Sequence, residues 1–283
     1  RAKGGPPDRL ALTHPANWGA YTLDLFATSA VVAGLHSVTM VTEPQAAAVS
    51  YASEERVDPG AVVAVYDLGG GTFDAAVLRK EADGGFTLLG SPDGIERLGG
   101  IDFDAAVFAH VAHTLDGVIE ELDPDDEAAV AAVARLRLEC TQAKEALSSD
   151  TEATIPVLLP DTQADVRITR EQFEEMIRPT LAETVTAMQR ALRSAQVEAG
   201  RIDHVLLVGG SSRIPLVGQL VSAGLGRPVA IDAHPKDAIS FGAAIAVAAR
   251  KGQATPESVK TVLPSDNRPP PPTVAPTNRE RPK

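Results

Sequence analysis

The segment Asp67-Leu68-Gly69-Gly70-Gly71-Thr72-Phe73-Asp74 limits what this chain can fold into more than any other. Residues 61–67 are a nearly continuous apolar run ending in a carboxylate, the pattern of a buried strand. Three glycines follow, then a hydroxyl, then a strand-like run over 72–79 that carries another carboxylate. Glycines permit positive φ and let a backbone approach a ligand closely. Successive N–H groups in such a turn make a concave nest for an anion. Thr72 can donate to a phosphate oxygen. Asp67 and Asp74 can hold Mg²⁺ through its water shell, which is how this ion is usually bound. The competing reading is a tight hairpin with glycines for geometry alone; the flanking Asp, Thr and Asp favour phosphate.

A second turn, Val208-Gly209-Gly210-Ser211-Ser212-Arg213-Ile214-Pro215, follows a buried strand expected over 205–208. A helix is expected from Pro215, and the free N–H groups and dipole at a helix start favour an anion. Taken alone this turn is a common packing device. The sequence has no GxxxxGK[ST] and no GxGxxG, so P-loop and Rossmann readings lose their main support.

Strands and helices alternate around these turns, which makes the chain α/β. Strands are expected over 10–13, 38–42, 86–89, 152–158, 165–168 and 229–231. Helices are expected over 21–35, 44–55, 102–122, 128–148 and 237–250. A further helix should start after Thr169, with Gln172 completing a capping box, and Pro179 should kink or break it. On the helix over 128–148, Leu136, Cys140, Ala143 and Leu147 form an apolar stripe. Thr141, Lys144, Glu145 and Ser148 form a polar stripe beside it; solvated surface is its plain reading.

Composition removes several function classes. Hydrophobic residues are 44% and charged residues 23% of 283, ordinary for a globular chain. Lys and Arg number 26 against 38 Asp and Glu, a formal charge of −12 with no basic cluster, which argues against nucleic acid and anionic membranes. No apolar run reaches the ~18 residues of a membrane span. A single cysteine, Cys140, excludes an internal disulfide framework and fits a reducing, cytoplasmic setting. Its place on an apolar stripe makes it a core thiol. Residues 251–283 hold eight of the 21 prolines and read as a disordered tail. His110 and His113 read as surface or half-buried histidines, and His14 and His234, each before a proline, as loop residues. The acidic run from Glu120 to Glu127 reads as a solvated turn, and Trp18 as the anchor of a helix start.

Six segments in order carry a family resemblance: TEPQAAAVS at 42–50, DLGGGTFD at 67–74, LGGIDFD at 98–104, ECTQAKEALSS at 139–149, VGGSSRIP at 208–215 and ISFGAA at 239–244. Over residues 10–250 the chain resembles the nucleotide-binding domain of the Hsp70 chaperones. The resemblance implies the actin-like ATPase (ribonuclease H-like) fold, with an incomplete first lobe over 1–58 and a complete second lobe over 59–250. It implies ATP or ADP with Mg²⁺ in the cleft. Glu43 matches the catalytic glutamate, Asp67 the aspartate that helps place Mg²⁺ and the attacking water, and Thr72 the hydroxyl near the γ-phosphate. Gly69, Gly70 and Gly71 match the second phosphate loop, with Asp74 beside the metal's waters, and Gly99 and Gly100 are further nucleotide-binding positions. Gly209, Gly210, Ser211 and Arg213 match the nucleoside-binding turn, and Lys144 and Ser148 the adenosine contacts.

The departures are part of the expectation. The family's nucleotide domain opens with another phosphate hairpin and a lobe bearing a catalytic lysine, and the match here starts partway through the first lobe. The 283 residues are therefore expected to be N-terminally truncated and inactive alone, with ATP hydrolysis in the complete parent. Thr141 stands where the family has glutamate, Glu145 where it has arginine, Lys236 where it has aspartate, and Ile101 where glutamate is common. Weaker and less base-selective nucleotide binding follows. A J-domain co-chaperone and an exchange factor are the partners the resemblance implies. The alternatives are a non-hydrolysing actin-fold interaction module and a small-molecule kinase of the same superfamily.

Overall fold

The computed structural model describes residues 9–35, 37–231 and 237–249. The Pro-rich segment 251–283, His234 and Lys236 lie outside these residues. The chain opens with a parallel βαβ unit: β1 (Leu10–His14), α1 (Ala20–Val32) and β2 (Val38–Thr42), with Leu10 opposite Val38 and His14 opposite Thr42. α2 (Glu43–Glu54) follows at once. Thr42 caps it by accepting from the Gln45 N–H, and Pro44 occupies the first turn, where a missing N–H costs nothing.

A five-stranded sheet forms the centre. It contains β3 (Val62–Leu68), β4 (Phe73–Lys80), β5 (Phe86–Ile95), β8 (His204–Val208) and β9 (Val229–Ile231), in the order β5-β4-β3-β8-β9. β3–β4–β5 is an antiparallel meander, and β8 and β9 add in parallel on the other side of β3. β3 reads as a continuous apolar run because both of its faces are buried. Ala64, Tyr66 and Leu68 join one core, with α3 (Gly100–Thr114), α4 (Glu127–Ala146) and α5 (Arg170–Ser194). Val63 and Val65 join another, with Ala47 and Ala48 of α2 and Ala238 of α7 (Ala238–Ala249). The hairpin of β6 (Glu152–Leu159) and β7 (Thr162–Thr169) extends the first core. α6 (Pro215–Leu225) lies between β8 and β9 in the chain.

The structure corrects four expectations. α3 ends at Thr114 rather than 122, because Asp116 and Gly117 turn left-handed at φ 50° and 91°. The apolar periodicity beyond it is real, but Leu115, Val118, Ile119 and Leu122 meet the core from turns rather than from a helix. α5 runs unbroken through Pro179. Its Thr169–Gln172 capping box fixes the start, and buried Phe173, Ile177, Leu181 and Met188 outweigh a proline penalty of about 3 kcal/mol. β5 continues past Leu89 to Ile95 with a register shift against β4. His14, expected in a loop, ends β1 with 7% exposure.

Cys140, Leu136, Ala143 and Leu147 are buried together as expected, and burial pushes the Cys140 thiol up to about 11. Trp18 stacks on His14 and meets Phe26 edge-on at 5.3 Å, anchoring the start of α1. The acidic run is an exposed turn in which Asp126 caps α4 by accepting from the Ala128 N–H.

Candidate functional site

Three glycine turns meet at one open cleft of about 510 Å³. The first joins β3 to β4. Its Gly69 N–H donates to Thr72 O at 3.0 Å and closes the hairpin. The second, Gly99–Gly100, starts α3 and packs directly on the first: Gly100 N–H donates to Gly69 O at 3.1 Å and Ile101 N–H to Gly70 O at 2.8 Å. The third leaves β8 at Gly209. There φ is +85°, and a Cβ would lie 2.3 Å from Leu68 O and 2.6 Å from Asp67 Oδ1, so only glycine fits. Ser211 Oγ then donates to Gly69 O at 2.8 Å.

The glycines of the first turn do not use the positive φ that glycine permits. None of Gly69, Gly70 and Gly71 is among the positive-φ residues. A Cβ on Gly70 would meet nothing within 4 Å, and on Gly71 only the Ile101 side chain at 3.9 Å. Among the described residues nothing demands glycine at Gly70. Its bare backbone faces the cleft, where a side chain would fill the space that a ligand needs.

In the third turn α6 starts at Pro215 as expected, and a single 3₁₀ turn, Gly210–Arg213, lies between Gly209 and that helix. Ser212 is buried, with its Oγ donating to Val208 O at 2.5 Å. Arg213 is exposed and is not part of the cleft lining, whereas Gly209, Gly210, Ser211 and Ile214 are.

One wall of the cleft carries carboxylates. Asp67 and Asp74 sit directly opposite each other across β3 and β4, and like charges in that position repel. Burial, then Glu43 and Asp74, push Asp67 up to about 7. Burial and the charge of Asp74 raise Glu43, the first residue of α2. Burial also raises Asp74, against a lowering hydrogen bond from Thr72. Three carboxylates that resist ionising together form an environment that a hydrated divalent cation would relieve.

The facing wall comes from α4. Thr141, Lys144, Glu145 and Ser148 all line the cleft. Lys144 Nζ donates to Gly100 O at 3.2 Å and pairs with Asp104 Oδ1 at 2.7 Å. Asp104, Ile214 and Ile239 line the cleft and were not singled out from sequence. Asp104 was within reach: it lies one helical turn beyond Gly100 on α3 and so faces the same side.

Glycine turns at the ends of β3 and β8, an acidic wall and a helix with polar lining residues fit an α/β nucleotide-binding protein of the actin-like ATPase class. The chain belongs to the Hsp70 family: residues 20–269 match the family described as Hsp70 protein. It is 31% identical over 262 residues to a heat shock 70 kDa protein of Penicillium citrinum, covering 92% of this chain and 51% of that protein. It is 36% identical over 248 residues to a chaperone protein HscA homolog of Methylibium petroleiphilum, covering 87% of this chain and 38% of that protein. The chain thus spans about half, or less, of the curated relatives it matches. Neither the interaction-module nor the kinase reading is favoured by these relatives.

Proposed function

We propose that the cleft binds ATP and ADP with Mg²⁺, and that the complete protein hydrolyses ATP to ADP and phosphate to drive a chaperone-type conformational cycle. The observation that carries this reading is the meeting of three glycine turns over the carboxylates Glu43, Asp67 and Asp74. Bound Mg²⁺ would neutralise charge developing on the transferred phosphoryl group, with Asp67 and Asp74 accepting hydrogen bonds from its waters. Asp67 and Glu43 hold and orient the attacking water, and Thr72 donates to a phosphate oxygen. Backbone N–H groups of the first turn cradle phosphate. The Gly99–Gly100 turn braces that hairpin. Lys144, Ser148 and the Gly209–Ser211 turn hold the nucleoside, with Arg213 reaching it only by moving from its exposed position.

In this reading residues 1–58 belong to a first lobe and 59–250 to a second. J-domain co-chaperones and exchange factors are the partners, and the cytoplasm is the compartment that suits a chain with one buried cysteine.

The test is ATP turnover by the complete protein and its Asp67→Asn variant. Removing one preorganised charge should cut turnover about 10²-fold, while the melting temperature holds or rises because a like-charge contact is relieved. Unchanged turnover removes Asp67 from the reaction.

A further inference from the structure

Asp104 and Lys144 form the one close ion pair of the cleft wall among the described residues. Oδ1 of Asp104 on α3 lies 2.7 Å from Lys144 Nζ on α4, with the two side chains 24% and 11% exposed. Water therefore screens the pair only in part. That oxygen is itself shut off from solvent and makes no aligned hydrogen bond. The attraction is thus one of charge rather than of direction. Lys144 Nζ also donates to Gly100 O at 3.2 Å. Gly100 N–H donates to Gly69 O, and the same oxygen accepts from Ser211 Oγ. A continuous set of contacts runs from Asp104 through Lys144 and Gly100 to the first glycine turn. An ammonium has three N–H groups. With one on Gly100 O and one drawn to Asp104, the third is available to the cleft that Lys144 lines.

We propose that Asp104 is a positioning residue for nucleotide binding. By its charge it holds Lys144 where the lysine both braces the Gly99–Gly100 turn against the phosphate hairpin and presents an N–H to the bound nucleotide. The inference rests on the nucleotide reading of the cleft. The opposite role is physically distinct: a carboxylate that merely neutralises Lys144 would compete with an anionic ligand, and its removal would tighten binding.

The test uses the 283-residue chain as wild type, Asp104→Asn, Lys144→Met and the double variant. Amide hydrogen exchange at Gly100 and Ile101 reads the brace without any ligand, and calorimetric titration with MgADP reads the cleft. Loss of one charge-held contact should lower protection at these amides, and raise the MgADP dissociation constant, about fivefold in Asp104→Asn. Lys144→Met should match it, and the double variant should be no worse than Lys144→Met, because Asp104 acts through the lysine. Unchanged protection, tighter MgADP binding in Asp104→Asn, or a further loss on adding Asp104→Asn to Lys144→Met would each overturn the proposal. A wild type that binds no MgADP counts against the nucleotide reading itself, while the exchange measurement still decides the brace.

Discussion

The central sheet and the N-terminal βαβ unit bury their helices to very different extents. On α3, Phe103, Val107 and Val111 are each at most 1% exposed. On α1, a helix of similar length, Ala30 is the only buried residue, and Tyr21 and Val32 are 77% and 83% exposed. The difference lies in what each helix packs against. α3 packs against α4 and α5, in a core that also takes in inward-facing residues of the central sheet. α1 crosses over two parallel strands only, and two strands offer too little apolar area to cover a helix side. The βαβ unit is held instead at its end, by the His14–Trp18–Phe26 ring cluster, and through α2 and α7. The cleft is thus built mostly on the central sheet and its helices, and the βαβ unit leads into a single lining residue, Glu43, at its exit.

That contrast sets the size of four effects. Phe103→Ala should be the most damaging, costing about 3–5 kcal/mol in denaturant unfolding, because it empties a closed core. A loss under 1 kcal/mol would mean that the α3 face is as loosely held as α1. Gly242→Ala comes next, since a Cβ there would stand 1.7 Å from Ala46 O at the α2–α7 crossing that joins the two regions. Overpacking of backbone against backbone should cost about 3 kcal/mol; a neutral substitution would show that the two helices part freely.

The third effect depends on pH. Asp67 titrates near 7 in the folded chain against an ordinary 3.8. Between these values the folded chain keeps a proton that the unfolded chain has released, so this group adds stability below about pH 4 and loses it as pH rises through 7. Relative to Asp67→Asn, ligand-free wild type should therefore lose on the order of 1–3 kcal/mol between pH 4 and pH 8. Parallel curves for the two proteins would remove the carboxylate repulsion from the site. Smallest of all, Tyr21→Ser should change stability by less than about 0.5 kcal/mol, with less binding of a hydrophobic dye because an exposed ring is removed.

Much of this was readable in the residues. Strand periodicity placed β2 and β9 to the residue, and the Thr169–Gln172 box gave the start of α5, because both are local signals. The turns at Gly69–Gly71 and Gly209–Gly210 were visible as turns, and the polar residues of the α4 segment as a stripe; Gly99–Gly100 was reached only through the family motif. What was not readable depended on partners distant in sequence. The continuity of α5 through Pro179 rests on its buried stripe. The end of α3 rests on Asp116 adopting a left-handed turn. Of the two uses that glycine permits, Gly70 shows open space at the cleft and not positive φ, which depends on the positions of Gly99 and Ile101 around it. The place of Asp104 on the cleft side of α3 was readable from its spacing to Gly100, but its pairing with Lys144, forty residues away on another helix, was not.

The account stands on the three glycine turns forming one phosphate site, and amide chemical-shift mapping during a titration of the chain with MgADP tests that most directly. The expected result is saturable shifts at Gly69–Gly71, Gly99–Gly100 and Gly209–Ser211 together, with the amides of α1 unmoved. Shifts confined to one turn, shifts centred on α1, or none at millimolar MgADP would contradict it.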